Sequence, residues 1–165
     1  MPASRQVEVR QADVTDASGF PALSDVDVVV SAVGVGKGDG PGALIAGARR
    51  MAEAHVRTVW LGALGSGVSR RSGGLIYAGV MRMFVGSEPA EKAEADEIAL
   101  RAGATVFHAP EVTGGPLGPT RSVVPPAQLR RPLLPPRISR TTPASLLLDE
   151  AESGRYGNDI VVPLT

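Results

Sequence analysis

The sequence predicts an α/β fold in which a mostly parallel sheet is flanked by helices. Short β-branched apolar runs alternate along the chain with segments whose apolar residues recur at helical spacing, a pattern typical of parallel sheets. Hydrophobic residues make up 43% of the 165 residues, enough for one core, whereas aromatic residues make up only 4%. We therefore expect a single domain over residues 1–165, with a core of Val, Leu, Ala and Ile.

The first part of the chain predicts three strands and a helix. Val7–Ala12 alternates apolar and polar residues, as a half-buried strand does. Val26–Val33 is almost entirely apolar, which predicts a strand covered on both faces. After a glycine-rich loop, Ala43–Ala54 has the apolar spacing and the helix-forming residues of an α-helix. Thr58–Leu61 predicts the next strand, and Gly62–Gly67 a flexible loop after it.

The second part predicts further helices and strands. Leu75–Val85 is mostly apolar, which predicts a buried or interface helix. Ala90–Arg101 has a strong helical pattern, and Gly103 is a suitable C-terminal stop. Thr105–Ala109 and Ile160–Val162 are the remaining predicted strands.

The stretch from Pro110 to Pro143 differs from the rest because it holds nine of the 14 prolines. We interpret residues 110–143 as an irregular proline-rich flap over the strand ends, or as a plain surface loop. Its five arginines could grip an anionic substrate or could form a basic exposed surface. These arginines are Arg121, Arg130, Arg131, Arg137 and Arg140.

Composition excludes several classes of function. Lys plus Arg and Asp plus Glu are 17 each, so we expect neither nucleic acid nor a membrane surface as a partner. The chain has no Cys and two His, so no metal site is predicted. The first residues lack an apolar signal region, and no apolar run approaches the roughly 18 residues that span a bilayer. The expected location is the cytoplasm.

Four segments carry motifs of one known family, in that family's order. Val7–Asp16 is similar to a third strand ending in "GDVTD", and Val28–Gly34 to a fourth strand often written "VVSALG". Lys92–Pro110 resembles "KxxxEexLRaSGLdwTivRPg", and Glu111–Pro116 resembles "xLTDGP". The chain thus resembles atypical short-chain dehydrogenases of the NmrA-like, NAD(P)H-binding type. The resemblance implies a truncated Rossmann-like parallel sheet flanked by helices.

The resemblance also implies how NAD(P) would be bound. Asp13 and Val14 would contact adenine, and Ala32, Val33 and Gly34 would line the adenosine and its ribose. The family opens with a strand, a glycine-rich turn and a helix that hold the pyrophosphate, whereas this sequence begins just before the third strand of the pattern. The resemblance therefore implies an incomplete cofactor site in which NAD(P) binding is weakened or absent.

One loop could replace that missing unit. The segment 38–43 matches G-x-G-x-x-A between a strand and a helix, with Lys37 as a nearby counter-charge. It predicts either a phosphate cradle or a flexible connection, and no acidic residue follows the next strand as the full fingerprint would require.

For the nicotinamide half, the resemblance implies contacts from Lys92 to the ribose and from Pro110 and Val112 near the ring. The family's usual Tyr, four residues before this Lys, is replaced here by Glu88. We therefore consider other candidates for acid–base work.

Four residues are the candidate catalytic groups: Tyr77, Lys92, His108 and Glu111. Tyr77 follows a flexible loop, His108 lies near a strand end, and Glu111 directly follows that strand, where ligand-facing residues collect. Each also has a structural interpretation: an amphipathic helix residue, a packed histidine and a solvated loop acid. Ser66 and Ser69 could supply the hydroxyl that Gly62 and Ala63 lack, provided that their loop folds back.

Three functions remain open at this point. The first is an NAD(P)-dependent oxidoreductase acting on a small molecule. The second is a cofactor-independent isomerase, lyase or cyclase that uses the same cleft. The third is a non-catalytic NmrA-like sensor or interaction protein, in which a homo-oligomer or a partner chain would complete the sheet.

Overall fold

The computed structural model describes residues 7–35, 42–69, 88–118, 121–129 and 137–164. Several sequence predictions lie outside these ranges. They are the helix over Leu75–Val85 with Tyr77, the loop from Lys37 through residue 41, and the flap residues Arg130 and Arg131.

The described residues form seven strands in two sheets. In chain order they are β1 (Val28–Ser31), β2 (Arg57–Ala63), β3 (Thr105–Ala109), β4 (Glu111–Thr113), β5 (Ser122–Val124), β6 (Arg137–Ser139) and β7 (Ile160–Leu164). The main sheet has the order β1-β2-β3-β7-β5. Its first four strands are parallel, and β5 is antiparallel to β7. The small second sheet pairs β4 with β6 in parallel.

Two helices, α1 (Ala43–Ala54) and α2 (Glu88–Arg101), cover one face of the main sheet. Helix α1 buries Leu44, Ala48 and Met51, which are the residues at helical spacing that predicted it. These side chains, with alanines of α2, pack on Trp60 and Val106 of the two central strands. This face of the sheet is the one that carries the site described below.

A third helix, α3 (Thr141–Ser153), covers the opposite face. Its Leu146 and Leu147 pack with Val59, Phe107 and Val161, which alternate along their strands with the residues of the first face. None of the helices in the described ranges is both long enough and apolar enough to cross a lipid bilayer.

The structure confirms the predicted fold class, a mostly parallel sheet flanked by helices. Helix α1 has the predicted bounds, and β3 matches its prediction as well. Gly103, two residues after the end of α2, has a φ of 92°, a backbone conformation that stops a helix and that glycine adopts without strain.

Two strand predictions need correction. Val7–Ala12 is not a strand, and Val7 and Val9 are 84% and 89% exposed. Alternation alone does not make a strand, because the backbone also needs a paired neighbour. Within Val26–Val33 only Val28–Ser31 is a strand, and it lies at the sheet edge with Val30 37% exposed, so the prediction of coverage on both faces is wrong.

Two loop predictions are also wrong in part. Gly62 and Ala63 belong to β2, and the chain then turns into a short 3₁₀ helix, Gly67–Ser69, instead of a flexible loop. The predicted irregular flap, residues 110–143, contains the three short strands β4, β5 and β6. Their partners lie far along the chain, as in the pairing of Glu111 with Arg137, so no local pattern reveals them.

Candidate functional site

A cavity of about 250 Å³ opens at the carboxyl ends of β1 and β2, between α1 and α2. This is the edge of an α/β sheet at which ligands bind in such folds. We call it the cleft cavity. Its lining comes from the segment after β1, the start of α1, the end of β2 and one face of α2: Ala32, Val33, Gly34, Val35, Leu44, Trp60, Leu61, Gly62, Ala63, Lys92, Ala95 and Asp96.

Four residues singled out from the sequence meet in this cavity. Ala32, Val33 and Gly34 follow β1, and Lys92 lies on α2, nearly sixty residues later in the chain. The resemblance assigns them to two different parts of NAD(P), and the fold brings all four into the lining of one cavity. Ala32 has a single methyl group and Gly34 has no side chain, so both take up little of the space in the cavity.

The acidic group of the cavity is Asp96, which is 4% exposed and lies one turn after Lys92 on α2. Its carboxylate accepts hydrogen bonds from three donors, which belong to β2, to the loop after β2 and to β3. The indole Nε1 of Trp60 donates to Oδ1 at 3.0 Å, and Ser66 Oγ donates to Oδ2 at 2.7 Å. His108 Nε2 lies 3.0 Å from the same Oδ2.

His108 is fully buried and reaches the cavity only through Asp96. Its other ring nitrogen, Nδ1, lies 2.6 Å from Ser69 Oγ, which also accepts a hydrogen bond from the Gly65 amide at 2.9 Å. In the neutral tautomer with the proton on Nε2, the ring donates to the Asp96 carboxylate and Nδ1 accepts the proton of Ser69. A neutral imidazole in this tautomer satisfies both of its neighbours.

The loop that carries the two serines folds back over the strand ends. The Leu64 amide donates to the Ala109 carbonyl at 2.8 Å, which extends the pairing of β2 with β3 by one residue. The 3₁₀ turn that follows is held against α2, because Gly67 lies close to Ala93. Ser66 and Ser69 are consequently buried, and neither of them lines the cleft cavity, so the loop folds back without presenting their hydroxyls there.

Gly62 makes this arrangement possible. It stands beside His108 in the register of β2 and β3, on the face that α2 covers. A Cβ built on Gly62 would lie 2.7 Å from Asp96 Oδ1 and 2.9 Å from His108 Cδ2, closer than side-chain carbons approach. The Asp96 carboxylate therefore lies in the space that a side chain at position 62 would need.

One of the predicted adenine contacts, Val14, lies beside α1 and near the Trp60 ring. Val14 packs against Gly47 of α1, and neither Asp13 nor Val14 lines the cleft cavity. Asp13 Oδ1 accepts hydrogen bonds from the Thr15 hydroxyl and amide at 2.7 and 2.8 Å. These bonds, the hydroxyl's first, hold the pKa of the Asp13 carboxyl below its ordinary value.

The remaining predicted site residues lie in β4 of the small sheet or, for Pro110, directly before it. Glu111, in β4, is exposed, and its Oε2 accepts a hydrogen bond from Arg137 Nε at 2.9 Å. Val112 is 39% exposed and Pro110 is buried, and none of the three lines the cleft cavity. The carboxylate expected in the cleft was Glu111, and the one that lies there is Asp96. Tyr77 is outside the described residues.

The start of α1 is already occupied by a carboxylate. Glu91 Oε1, from α2, accepts hydrogen bonds from the amides of Gly42 and Leu44 at 2.9 and 3.2 Å. These are the N-terminal amides that a phosphate would need if the loop before α1 were a cradle. The side chain of Glu91 thus takes the place of an anion at this helix end.

Asp96 was missed in the sequence because α2 is rich in Ala and Glu and has the appearance of a solvated helix. A signal was nevertheless present. Trp60 and His108 stand in apolar strands, and buried indole and imidazole N–H groups need an acceptor. Asp96 also stands at the acidic position of the "KxxxE" motif that begins at Lys92.

Chemically, the cavity offers one ionisable acceptor, Asp96, and one cationic side chain, Lys92, on apolar walls. Ser69, His108 and Asp96 form a hydrogen-bonded chain, but Ser69 is buried and does not line the cavity, so it cannot attack a ligand there. Among the described residues, no group of three or more His, Asp or Glu could hold a metal ion.

No protein-family model matches the chain, and no curated protein matches it. Solved structures do match. One, assigned as an NAD-dependent epimerase/dehydratase from Bacillus halodurans, is 17% identical with a TM-score of 0.64 over 87% of this chain and 66% of its own. A short-chain dehydrogenase/reductase from Veillonella parvula DSM 2008 in complex with NADP is 10% identical, with a TM-score of 0.64 over 87% and 65%.

A third structure, the anaerobilin reductase ChuY from Escherichia coli O157:H7, is 13% identical with a TM-score of 0.61 over 83% of this chain and 63% of its own. The chain thus spans about two thirds of the length of the solved structures it matches. At such low identities the likeness concerns the fold alone. The chain has the Rossmann-like α/β fold of these proteins.

Proposed function

We propose that the chain is an NAD(P)-dependent oxidoreductase of the short-chain dehydrogenase type, with an NmrA-like arrangement, that acts on a small molecule. In this proposal the cleft cavity holds a nucleoside part of the cofactor. The observation that carries it is the meeting of Ala32, Val33, Gly34 and Lys92 in one cavity at the carboxyl ends of the parallel strands.

The size and lining of the cavity support a nucleoside as occupant. Its volume of about 250 Å³ lies just below the range of complete ligand sites, so it fits one part of a dinucleotide better than the whole. The walls are mostly apolar, with polar groups confined to Lys92 and Asp96. Apolar walls with few polar groups are typical of small-molecule sites.

The diphosphate of the cofactor would need donors other than the start of α1. Glu91 already accepts hydrogen bonds from the Gly42 and Leu44 amides, and its negative charge would repel a phosphate there. We therefore expect this chain to bind NADPH through its nucleoside contacts, with an affinity well below that of a site whose helix N-terminus holds the diphosphate.

The test is a titration of the chain with NADPH, followed by thermal shift and calorimetry. Ala32→Leu adds bulk to the cavity wall and should lower NADPH affinity at least tenfold, a loss of about 1.4 kcal/mol. The matched control is Ala102→Leu, an exposed residue just after α2, at the opposite end of that helix from Lys92. This control should bind NADPH as the unchanged chain does.

Equal NADPH affinity in both variants would remove the cleft cavity from the proposal. No thermal shift at millimolar NADPH in the unchanged chain would contradict nucleotide binding altogether, because stabilisation grows with ligand concentration over Kd.

A further inference from the structure

We propose that Asp96 is a ligand-binding residue, whose Oδ1 accepts a hydrogen bond from a ribosyl hydroxyl of the nucleoside in the cleft cavity. This inference rests on the proposed function and names the polar contact within that site. Neither the sequence motifs nor the structural likenesses assign a role to this carboxylate.

The first step is the count of acceptor positions on Asp96. An ionised carboxylate has about four lone-pair positions, two on each oxygen. Oδ2 accepts from Ser66 Oγ and His108 Nε2, and both of its positions are used. Oδ1 accepts only from Trp60 Nε1 among the described residues, which leaves one position for a further donor.

The second step is the direction in which that position faces. Oδ1 is the atom nearest to the space above Gly62, at 2.7 Å from a Cβ built there, and Gly62 lines the cleft cavity together with Asp96. Gly62 has no side chain that could cover this oxygen, and the neighbour from β2 is the Trp60 indole that donates to it. In the proposed complex, a ligand that fills the cavity reaches Oδ1 over Gly62.

The third step is the chemistry of the group that Oδ1 would accept. A buried carboxylate disfavours an anionic ligand group beside it, and an ionised carboxylate oxygen can only accept a hydrogen bond, so the ligand group at Oδ1 must be a donor. A hydroxyl is such a donor, and it can donate to Asp96 while still accepting other bonds. In a nucleoside, the neutral donors on the sugar are the ribosyl hydroxyls.

The neighbours of Asp96 also make a precise substitution possible. In Asp96→Asn, the amide nitrogen can take the place of Oδ2 and donate to His108 Nε2 and to Ser66 Oγ. His108 then carries its proton on Nδ1 and donates to Ser69, whose hydroxyl has the Ser66 carbonyl as a second partner at 3.0 Å. Ser66 keeps the Ala63 carbonyl at 2.8 Å. The network survives while the charge on the cavity oxygen is lost.

The chain has a built-in reporter for this atom. Trp60 is the only tryptophan, and its indole N–H is bonded to Oδ1 itself. In ¹⁵N-labelled protein a single indole cross-peak therefore follows ligand binding at Asp96. We would titrate adenosine and nicotinamide riboside, each against its 2′,3′-dideoxy counterpart, and NADPH alongside.

In the unchanged chain, the riboside that occupies the cavity should bind about tenfold more tightly than its dideoxy counterpart, since hydrogen bonds to a charged group are about twice as strong as neutral ones. Asp96→Asn should remove most of this preference and weaken NADPH about tenfold. Glu94→Gln, which removes one exposed charge from the same helix, is the matched control and should keep both values.

An Asp96→Asn variant with unchanged NADPH affinity and an unchanged hydroxyl preference would overturn the role of Asp96 and leave the proposed function standing. A chain that binds neither NADPH nor either riboside would overturn both.

Discussion

Asp96 shows how one buried charge is held by elements that are distant in sequence. Its donors come from β2, from the loop after β2 and from β3, while the carboxylate itself comes from α2. Burying a carboxylate costs several kcal/mol unless hydrogen bonds compensate for lost water, and here each oxygen has at least one donor. The cluster therefore fixes the position of α2 over the strands as well as the polar end of the cavity.

Gly62→Ala tests how tightly this cluster is packed. The added methyl group would lie within 3.0 Å of Asp96 Oδ1 and His108 Cδ2, and both groups are buried and hydrogen-bonded, so neither can move away freely. We expect a loss of about 1–3 kcal/mol in the free energy of unfolding, as for other overpacked cores. Urea denaturation, followed by Trp60 fluorescence, measures it.

The control for this prediction is Gly34→Ala, where the added methyl group meets no atom within 4 Å. It should change the free energy of unfolding by less than about 1 kcal/mol, and in the stabilising direction, because alanine restricts the unfolded chain. Identical urea midpoints for the two variants would show that the Asp96 cluster is looser than described.

At the scale of helices and strands, local sequence patterns were sufficient to predict an element when its own residues determine which of its faces is buried. Helix α1 was predicted with its observed bounds because Leu44, Ala48 and Met51 fix its buried face. Strands β4 and β6 could not be predicted, since three residues carry no periodicity and each depends on a partner about 26 residues away. Val7–Ala12 had the periodicity but lacks a pairing partner in the described structure.

Helix α1 also depends on a contact that no local pattern contains. Its N-cap, Gly42, has no side chain to accept a helix amide, and Glu91 of α2 supplies the acceptor instead. We expect Glu91→Ala to lower the free energy of unfolding by about 1 kcal/mol, the usual value of a lost N-terminal cap. Chemical denaturation measures the change.

Glu97→Ala is the matched control, because it makes the same substitution on the same helix and removes only an exposed pair with Arg101. Its cost should be about 0.3–0.5 kcal/mol or less. A Glu91→Ala variant no less stable than Glu97→Ala would mean that water caps α1 equally well.

At the scale of the whole molecule, the sequence indicated which strand ends would meet but not what lies between them. The order of a parallel sheet brings the end of β1 next to α2, so Ala32, Val33, Gly34 and Lys92 could be expected at one edge. The Asp96–His108–Ser69 chain depends on the rotation of α2 and on the return of the loop after β2. Both depend on tertiary packing between distant segments, so no local sequence pattern predicts them.

The sheet order also predicts how stability is distributed through the molecule. Strand β3 is paired on both sides and buried along its whole length, whereas β1 is an edge strand and Val7–Ala12 has no strand partner in the described part of the chain. In hydrogen exchange followed by mass spectrometry, we expect β3 and β2 to exchange slowest, β1 faster, and Val7–Ala12 within seconds. Slow exchange in Val7–Ala12 would contradict its description as unpaired. If that protection rose with protein concentration, the segment would be pairing with a second copy of the chain, whose β1 edge carries no further strand among the described residues.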